Sequence, residues 1–453
     1  MPNMFAVSPS SEERTWRRTL WLMVAVQFIV SASLTVQSPM LPLFLLQIGV
    51  EKGGAVEFWA GVLNSVNFLI AALVSPIWGS IGDRYGRKMM VLRSSLAICI
   101  FMALMGLSQS LWQLVMLRAL MGMFSGFSAT AIALVATQVP ENRLGFSLGW
   151  LSTGQLVGAL FGPVLGGIIA DASGSYRFVF FCTSALAAIA VTLAWLFVKE
   201  RFTPVRERDR PSIVSNFRLL AASGLLPLFA VLAMAQFGVR TVQPVVTLFV
   251  EQLTGPVPAL ATLAGFAFSV TGISDVLFSP FLGKRSDMLG YRRVLLISLF
   301  GAALVSIPQA LVDSYWQFVA FRFAVGMFVG GLVPTANALV GRMVEPARRG
   351  VAYGVTASAG FLGSFLGPIT GGSLAASFGL RSVFLVTGLM FLVNFVWVYF
   401  VVPVQVPDRR PLNFSPADAD ADARPAEDEV RPLDPNLSAD AASERTKEHG
   451  SAK

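Results

Sequence analysis

The run Gly79-Ser80-Ile81-Gly82-Asp83-Arg84-Tyr85-Gly86-Arg87-Lys88 returns 204 residues later as Gly283-Lys284-Arg285-Ser286-Asp287-Met288-Leu289-Gly290-Tyr291-Arg292. The same offset carries Ser75-Pro76 onto Ser279-Pro280, Trp112-Gln113 onto Trp316-Gln317, Arg118 onto Arg322, and Gly122 and Gly126 onto Gly326 and Gly330. One inserted residue then shifts the register, so that Gly162-Pro163 and Gly166-Gly167 meet Gly367-Pro368 and Gly371-Gly372. Arg177 and Phe180 fall back into step with Arg381 and Phe384. A chain with this self-similarity is built from two copies of one unit, and each copy must be able to take the same fold.

Composition decides the medium. Charged residues make up 13% of the chain and hydrophobic ones 55%, whereas a soluble domain carries about 25% charge. Apolar stretches of roughly 18 residues or more, the length that crosses hydrocarbon, are expected near 20–46, 58–80, 91–108, 112–138, 144–170, 178–198, 221–250, 259–282, 294–311, 315–341, 350–376 and 382–402. The fold class expected is an all-α polytopic membrane protein made of two six-helix bundles.

Cytoplasmic loops retain Lys and Arg. Of the 34 such residues, 21 fall on one side of this topology and three, Lys52, Arg177 and Arg381, on the other. Both termini are therefore expected in the cytoplasm, in a multi-pass protein of the inner membrane. The net charge of +8 is accounted for by topology and anionic lipid, without a nucleic-acid partner. The expected divisions are a cytoplasmic segment 1–16, a first bundle 17–198, a charged linker 199–218, a second bundle 219–402 and a disordered tail 403–453. Arg17-Arg18 precede an apolar run too long for a signal peptide. Cys99 and Cys182 stand apart in apolar surroundings, which argues against a disulfide or a metal site, and no cofactor is expected.

Two identically oriented six-helix repeats are the architecture of one transporter fold. Residues 79–91 resemble the signature between helices 2 and 3 of the major facilitator superfamily, with Gly79, Asp83, Arg84, Gly86, Arg87 and Lys88 in the motif's places. The second copy keeps Asp287, Gly290 and Arg292 but has Met288 and Tyr291 where the first has Arg84 and Arg87. The chemistry of the loop stands apart from the resemblance. Gly86 permits a tight reversal, and Asp83 can accept hydrogen bonds from a neighbouring helix N-terminus, a contact that an opening gate would break. The alternative is that the basic residues only enforce topology.

Gly154, Gly158, Gly162, Pro163, Gly166 and Gly167 on helix 5 are similar to the antiporter motif of drug exporters in this superfamily. Small residues at this spacing clear one face for close backbone contact, and Pro163 kinks the helix; generic small-residue packing would look alike. Leu117 to Gly126 on helix 4 is similar to the superfamily motif with a buried Arg, here Arg118, although snorkelling toward the surface is also open to it. With Gln37 to Phe44 and Ala136 to Pro140, these segments resemble bacterial twelve-helix drug:proton antiporters of the type associated with fosfomycin and bile-salt resistance. The resemblance covers residues 17–402 and implies export of small amphipathic compounds.

Eleven acidic residues lie in the tail, and all but one of the other fifteen fall in expected loops or helix ends. The exception is Asp275. An unpartnered charge in a span is costly and usually functional, so Asp275 is the leading candidate for a proton carrier, with Asp83 and Arg118 behind it; hydration from the cytoplasmic side is the alternative. By helical rise, Arg240 lies too far from Asp275 to pair with it. Gln37, Asn64, Asn67, Gln155, Gln236, Arg240, Gln243, Asn337 and Phe361 are candidates for a substrate cavity, with Phe68 and Trp150 as further aromatic walls. The partners expected are a small-molecule substrate, protons and the lipid bilayer, with the chain acting as a monomer. A sugar or metabolite facilitator without proton coupling is the second reading. An enzyme is disfavoured, because the lone His449 sits in the tail and the spans hold no nucleophile and base set.

Overall fold

The computed structural model describes residues 11–140, 143–198, 200, 226–343 and 349–402. The secondary structure there is helical. The first half comprises α1 (Ser11–Thr35), α2 (Leu41–Gln47), α3 (Ala55–Tyr85), α4 (Arg87–Leu107), α5 (Leu111–Met123), α6 (Phe127–Gln138), α7 (Leu144–Ser173) and α8 (Tyr176–Phe197). The second comprises α9 (Leu226–Thr241), α10 (Val246–Thr254), α11 (Leu260–Leu289), α12 (Tyr291–Ser306), α13 (Tyr315–Val329), α14 (Leu332–Met343), α15 (Arg349–Phe378) and α16 (Leu380–Val401). Among the described residues, twelve segments are long and apolar enough to cross a membrane, from Trp16–Thr35 to Leu380–Val401. Apart from Glu200, the linker expected at 199–218 lies outside the described residues, as do the tail expected at 403–453 and residues 1–10 of the segment expected at 1–16.

Four of the expected spans are interrupted rather than continuous, and the interruptions obey the repeat. The first span breaks between α1 and α2 around Pro39, and the seventh between α9 and α10 around Pro244; proline lacks the N–H that would carry the ladder through. The fourth breaks after α5 at Gly126, whose φ of 109° is strained for other residues. The tenth breaks after α13 at Gly330-Gly331.

Helix pairing repeats as well. In the first half α1 packs on α7, α4 on α8 and α3 on α5; in the second α9 packs on α15, α12 on α16 and α11 on α13. Between the halves α3 lies against α15 and α7 against α11. Glycine makes the close pairs possible, because lipid provides no hydrophobic drive and helix association rests on backbone approach. A methyl group on Gly154 would stand 2.8 Å from the Val24 carbonyl oxygen, and one on Gly158 would overlap that of Phe28. In the second half Gly363 and Gly371 meet the Ala233 and Thr241 carbonyls in the same way. Arg177 donates to the Gly106 carbonyl at 3.0 Å, and Arg381 to Ala310 at 3.0 Å, again one repeat apart.

One end of the molecule carries the Gly86 and Gly290 turns and is called the basic end below. The opposite end carries 48–54, 174–175 and 255–259.

Candidate functional site

Asp275 lies midway along α11, where that helix crosses the break between α13 and α14. It is half-buried, and among the described residues no ion pair or hydrogen bond holds its carboxylate. The contact at the break is close: a methyl group on Gly330 would stand 2.6 Å from Asp275 Oδ1 and 2.8 Å from its backbone oxygen. Glycine is needed at 330 to leave the carboxylate room.

The carboxylate opens into a cavity of about 220 Å3 that is also lined by Arg240, Gln243, Gln309, Arg322 and Thr387, with Phe268, Phe384 and Phe391 as apolar wall. Arg240, which helical rise separates from Asp275, lines the same cavity, and among the described residues no ion pair joins the two. The Arg240 guanidinium stacks over Phe68 of the first half at 5.2 Å, and its Nε is buried without a hydrogen-bond partner. Arg322 is buried and donates from Nε to the Ala267 carbonyl at 3.4 Å. Sequence reasoning missed Gln309 and Thr387, which look like ordinary span residues until the second half folds around them.

Arg118, the repeat partner of Arg322, is 5% exposed, so it does not snorkel, and its Nε has no partner. It is not among the residues lining the Asp275 cavity. The other polar candidates are dispersed. Gln37 is buried and donates to the Leu34 carbonyl at 3.3 Å, and Asn64 donates within its own helix to Ala60 at 2.9 Å. Asn67 Oδ1 is buried without a partner. Gln155, Gln236, Asn337 and Phe361 are half-buried. Trp150 packs edge-on against Trp21, with centroids 4.8 Å apart.

The Gly-Asp-Gly turn is built as its residues suggest at the glycines. Gly86 and Gly290 have φ of 98° and 91°, a region that favours glycine. An anion does cap a helix there, and it is Glu200: its carboxylate accepts from the Arg87 and Lys88 backbone N–H groups at 2.9 and 2.8 Å, at the start of α4. Lys88 also donates from Nζ to the Trp195 carbonyl at 2.9 Å, and its repeat partner Arg292 donates to the Tyr399 carbonyl. Asp287 accepts from Tyr291 at 2.6 Å. Arg84 is exposed beside Tyr85. The expected contact of Asp83 falls outside the described residues, which omit the side chains of Asp83 and of 349–355, and the surroundings of Gly79 lie outside them too.

The antiporter-like glycines divide their work. Gly154, Gly158 and Gly162 face α1 and Gly166 meets Val36 just beyond it, whereas a methyl on Gly167 would overlap the Ala261 carbonyl of α11 in the other half. Gly265 meets the Pro163 carbonyl in return, and Gly61 and Gly372 form the equivalent contact between α3 and α15. Polar contacts join the halves at or near the same end. Thr247 donates to the Pro39 carbonyl at 2.6 Å and Ser269 to that of Leu160 at 2.5 Å. Lys52 pairs with Glu251 at 2.8 Å. Asp171 accepts from the start of α11. None of these partners is near the other in sequence, so no local pattern announces them.

Comparison with known proteins agrees with this architecture. The family model described as Major Facilitator Superfamily matches residues 23–261 and 228–435. The chain is 38% identical over 395 residues to "Multidrug resistance protein MdtG" of Serratia proteamaculans (strain 568), covering 87% of this chain and 96% of that protein. It is 36% identical to the protein of that name from Salmonella typhimurium, covering 86% and 97%. Among solved structures, a point mutant of the nucleoside transporter NupG superposes with a TM-score of 0.70 at 15% identity, over 86% of this chain and all of that one. A bacterial homolog of the human lysosomal transporter Spinster, in an inward-facing and occupied conformation, gives 0.67 at 16%, over 87% and 97%. With two repeated bundles, the glycine turns in both and a family match across most of its length, the chain belongs to the major facilitator superfamily.

Proposed function

We propose that this chain exports small amphipathic compounds or drugs by alternating access, in exchange for protons carried by Asp275. One observation carries the reading: among the described residues lining the cavity, Asp275 is the only carboxylate, and it shares that cavity with two guanidinium groups. Ionised, it offers a charged acceptor to a substrate's donors. Protonated, it loses the charge and part of the acceptor capacity. Proton and substrate then compete for one group, which is the condition for exchange. The similarity to multidrug resistance proteins over most of both lengths supports drugs as the cargo.

On this reading the basic end faces the cytoplasm, since it holds 21 Lys and Arg against three at the other, and both termini lie there. Residues 17–198 and 219–402 are the two rocking units, flanked by 1–16, 199–218 and 403–453, and the chain works as a monomer. Asp83 meets the N-terminus of α15, near Gly350 to Tyr353, when the basic end closes, and Arg118 orders the first half opposite the coupling site. The cavity candidates Gln37, Asn64, Asn67, Gln155, Gln236, Asn337 and Phe361 contribute to substrate contact.

The test is a substrate screen in inverted membrane vesicles with and without an imposed proton gradient. Uphill accumulation that requires the gradient is the expected result. Transport that ignores the gradient would replace this reading with an uncoupled facilitator of a sugar or metabolite.

A further inference from the structure

We propose that Asp171 is the latch of the gate at the end opposite the basic end, a positioning residue that holds the two bundles together there until the cycle opens them. The proposal rests on transport by alternating access. Its observations are separate from those at Asp275.

Helix α11 begins at Leu260 without a side-chain cap of its own, its preceding residue being Ala259. A helix start leaves several N–H groups without intrahelical partners, and near buried residues such as Ala261 they need acceptors. Asp171, on the last turn of α7 in the other bundle, supplies them. Its carboxylate accepts from Ala261 N–H at 3.3 Å, from Thr262 N–H at 2.7 Å and from the Thr262 hydroxyl at 2.5 Å. An anion at a helix N-terminus is favoured by the dipole, and hydrogen bonds to a charged acceptor are roughly twice as strong as neutral ones. The helices themselves touch at Gly167 against Ala261 and at Gly265 against Pro163. The bundles therefore cannot part here without stripping the cap from α11.

The repeat shows that the fold does not require this cap. At the symmetry-related contact between α3 and α15, the positions equivalent to Asp171 are Ala375 or Ala376. The residue equivalent to Ala261 is Glu57, which caps its own helix by accepting from Gly54 N–H at 2.8 Å. Glycine packing closes both contacts, but only one carries a carboxylate across the interface. The neighbouring Lys52–Glu251 pair also crosses it, with the Lys52 side chain 68% exposed, and an exposed pair contributes little.

The experiment measures the distance between spin labels at Gln109 and Ser314, exposed positions of the two bundles at this end, in full-length protein with Cys99 and Cys182 replaced by serine. In the unsubstituted chain a short distance dominates. Asp171→Ala raises the ratio of open to closed population by about tenfold or more, the scale of losing one charge-assisted hydrogen bond. Asp171→Asn gives a smaller rise and Lys52→Gln none. Thr262→Val, which removes only the hydroxyl contact, moves the ratio in the same direction by a smaller factor. It therefore tests the claim even if Asp171→Ala does not reach the membrane. Unaltered distances in folded Asp171→Ala, or in Thr262→Val should that be the variant obtained, would overturn the latch. The readout uses neither substrate nor gradient. Opening in these variants would thus support the latch even if vesicles showed no proton-driven export, and normal export with unaltered distances would retain the transport reading while rejecting the latch.

Discussion

Asp275 and Gly330 are fitted to each other: the carboxylate oxygen occupies the space where a β-carbon at 330 would sit 2.6 Å away. The pair joins the one unpartnered carboxylate of the cavity to the break between α13 and α14. A position where only glycine leaves room, at the interruption between α13 and α14, thereby frames the proposed coupling group.

Gly330→Ala should therefore impair transport without abolishing folding. The added methyl must displace Asp275 or shift α11, and overpacking of this kind typically costs about 1–3 kcal/mol. The expected outcome is a lowered Tm in detergent together with a shifted pH dependence of efflux. A variant that lost stability but kept the pH profile of the parent would separate 330 from the proposed coupling site.

The two glycine classes on α7 should behave oppositely. A methyl on Gly158 meets the Phe28 carbonyl and the Ala32 amide, whereas nothing lies within 4 Å of one on Gly149. Gly158→Ala is expected to destabilise by about 1–3 kcal/mol. Gly149→Ala should be neutral or stabilise by about 0.5–1 kcal/mol, the helix preference of Ala over Gly. Thermal unfolding of the two variants side by side checks the sign of each.

Glu200 caps α4 through the Arg87 and Lys88 amides, so Glu200→Ala should lower stability by about 0.5–2 kcal/mol, the usual cost of removing a helix cap. Glu200→Gln keeps an acceptor and should lose less, with a difference that shrinks as salt is added. Equal Tm for all three proteins at low salt would mean that the cap contributes nothing.

The sequence made the architecture readable because a repeat and a hydropathy pattern are global signals, each spread over many residues. Gly86 and Gly290 could be assigned to their turns because a positive φ has few occupants other than glycine. The close face of Gly154 to Gly166 was legible for a similar reason, since its spacing is a helical period. Contacts between bundles were not legible. Asp171 and Thr262 are 91 residues apart, and Asp171 looked like any acid at a helix end. Glu200 was hidden differently: an acid after a span reads as the beginning of a charged linker, and the helix start it caps lies more than 100 residues earlier. That Arg240 and Asp275 line one cavity was not legible either, because rise per residue gives depth along each helix but not how two helices lean toward one another.

The most direct test of the account is uphill efflux by Asp275→Asn in inverted vesicles, at equal protein level and across a range of imposed pH gradients. Asparagine keeps the shape and a hydrogen-bonding group but cannot cycle a proton. Gradient-driven accumulation should fall to that of vesicles without a gradient, while substrate binding and downhill exchange survive. An Asp275→Asn protein that still drives uphill efflux with the parent's pH dependence would contradict the assignment of the coupling proton to Asp275.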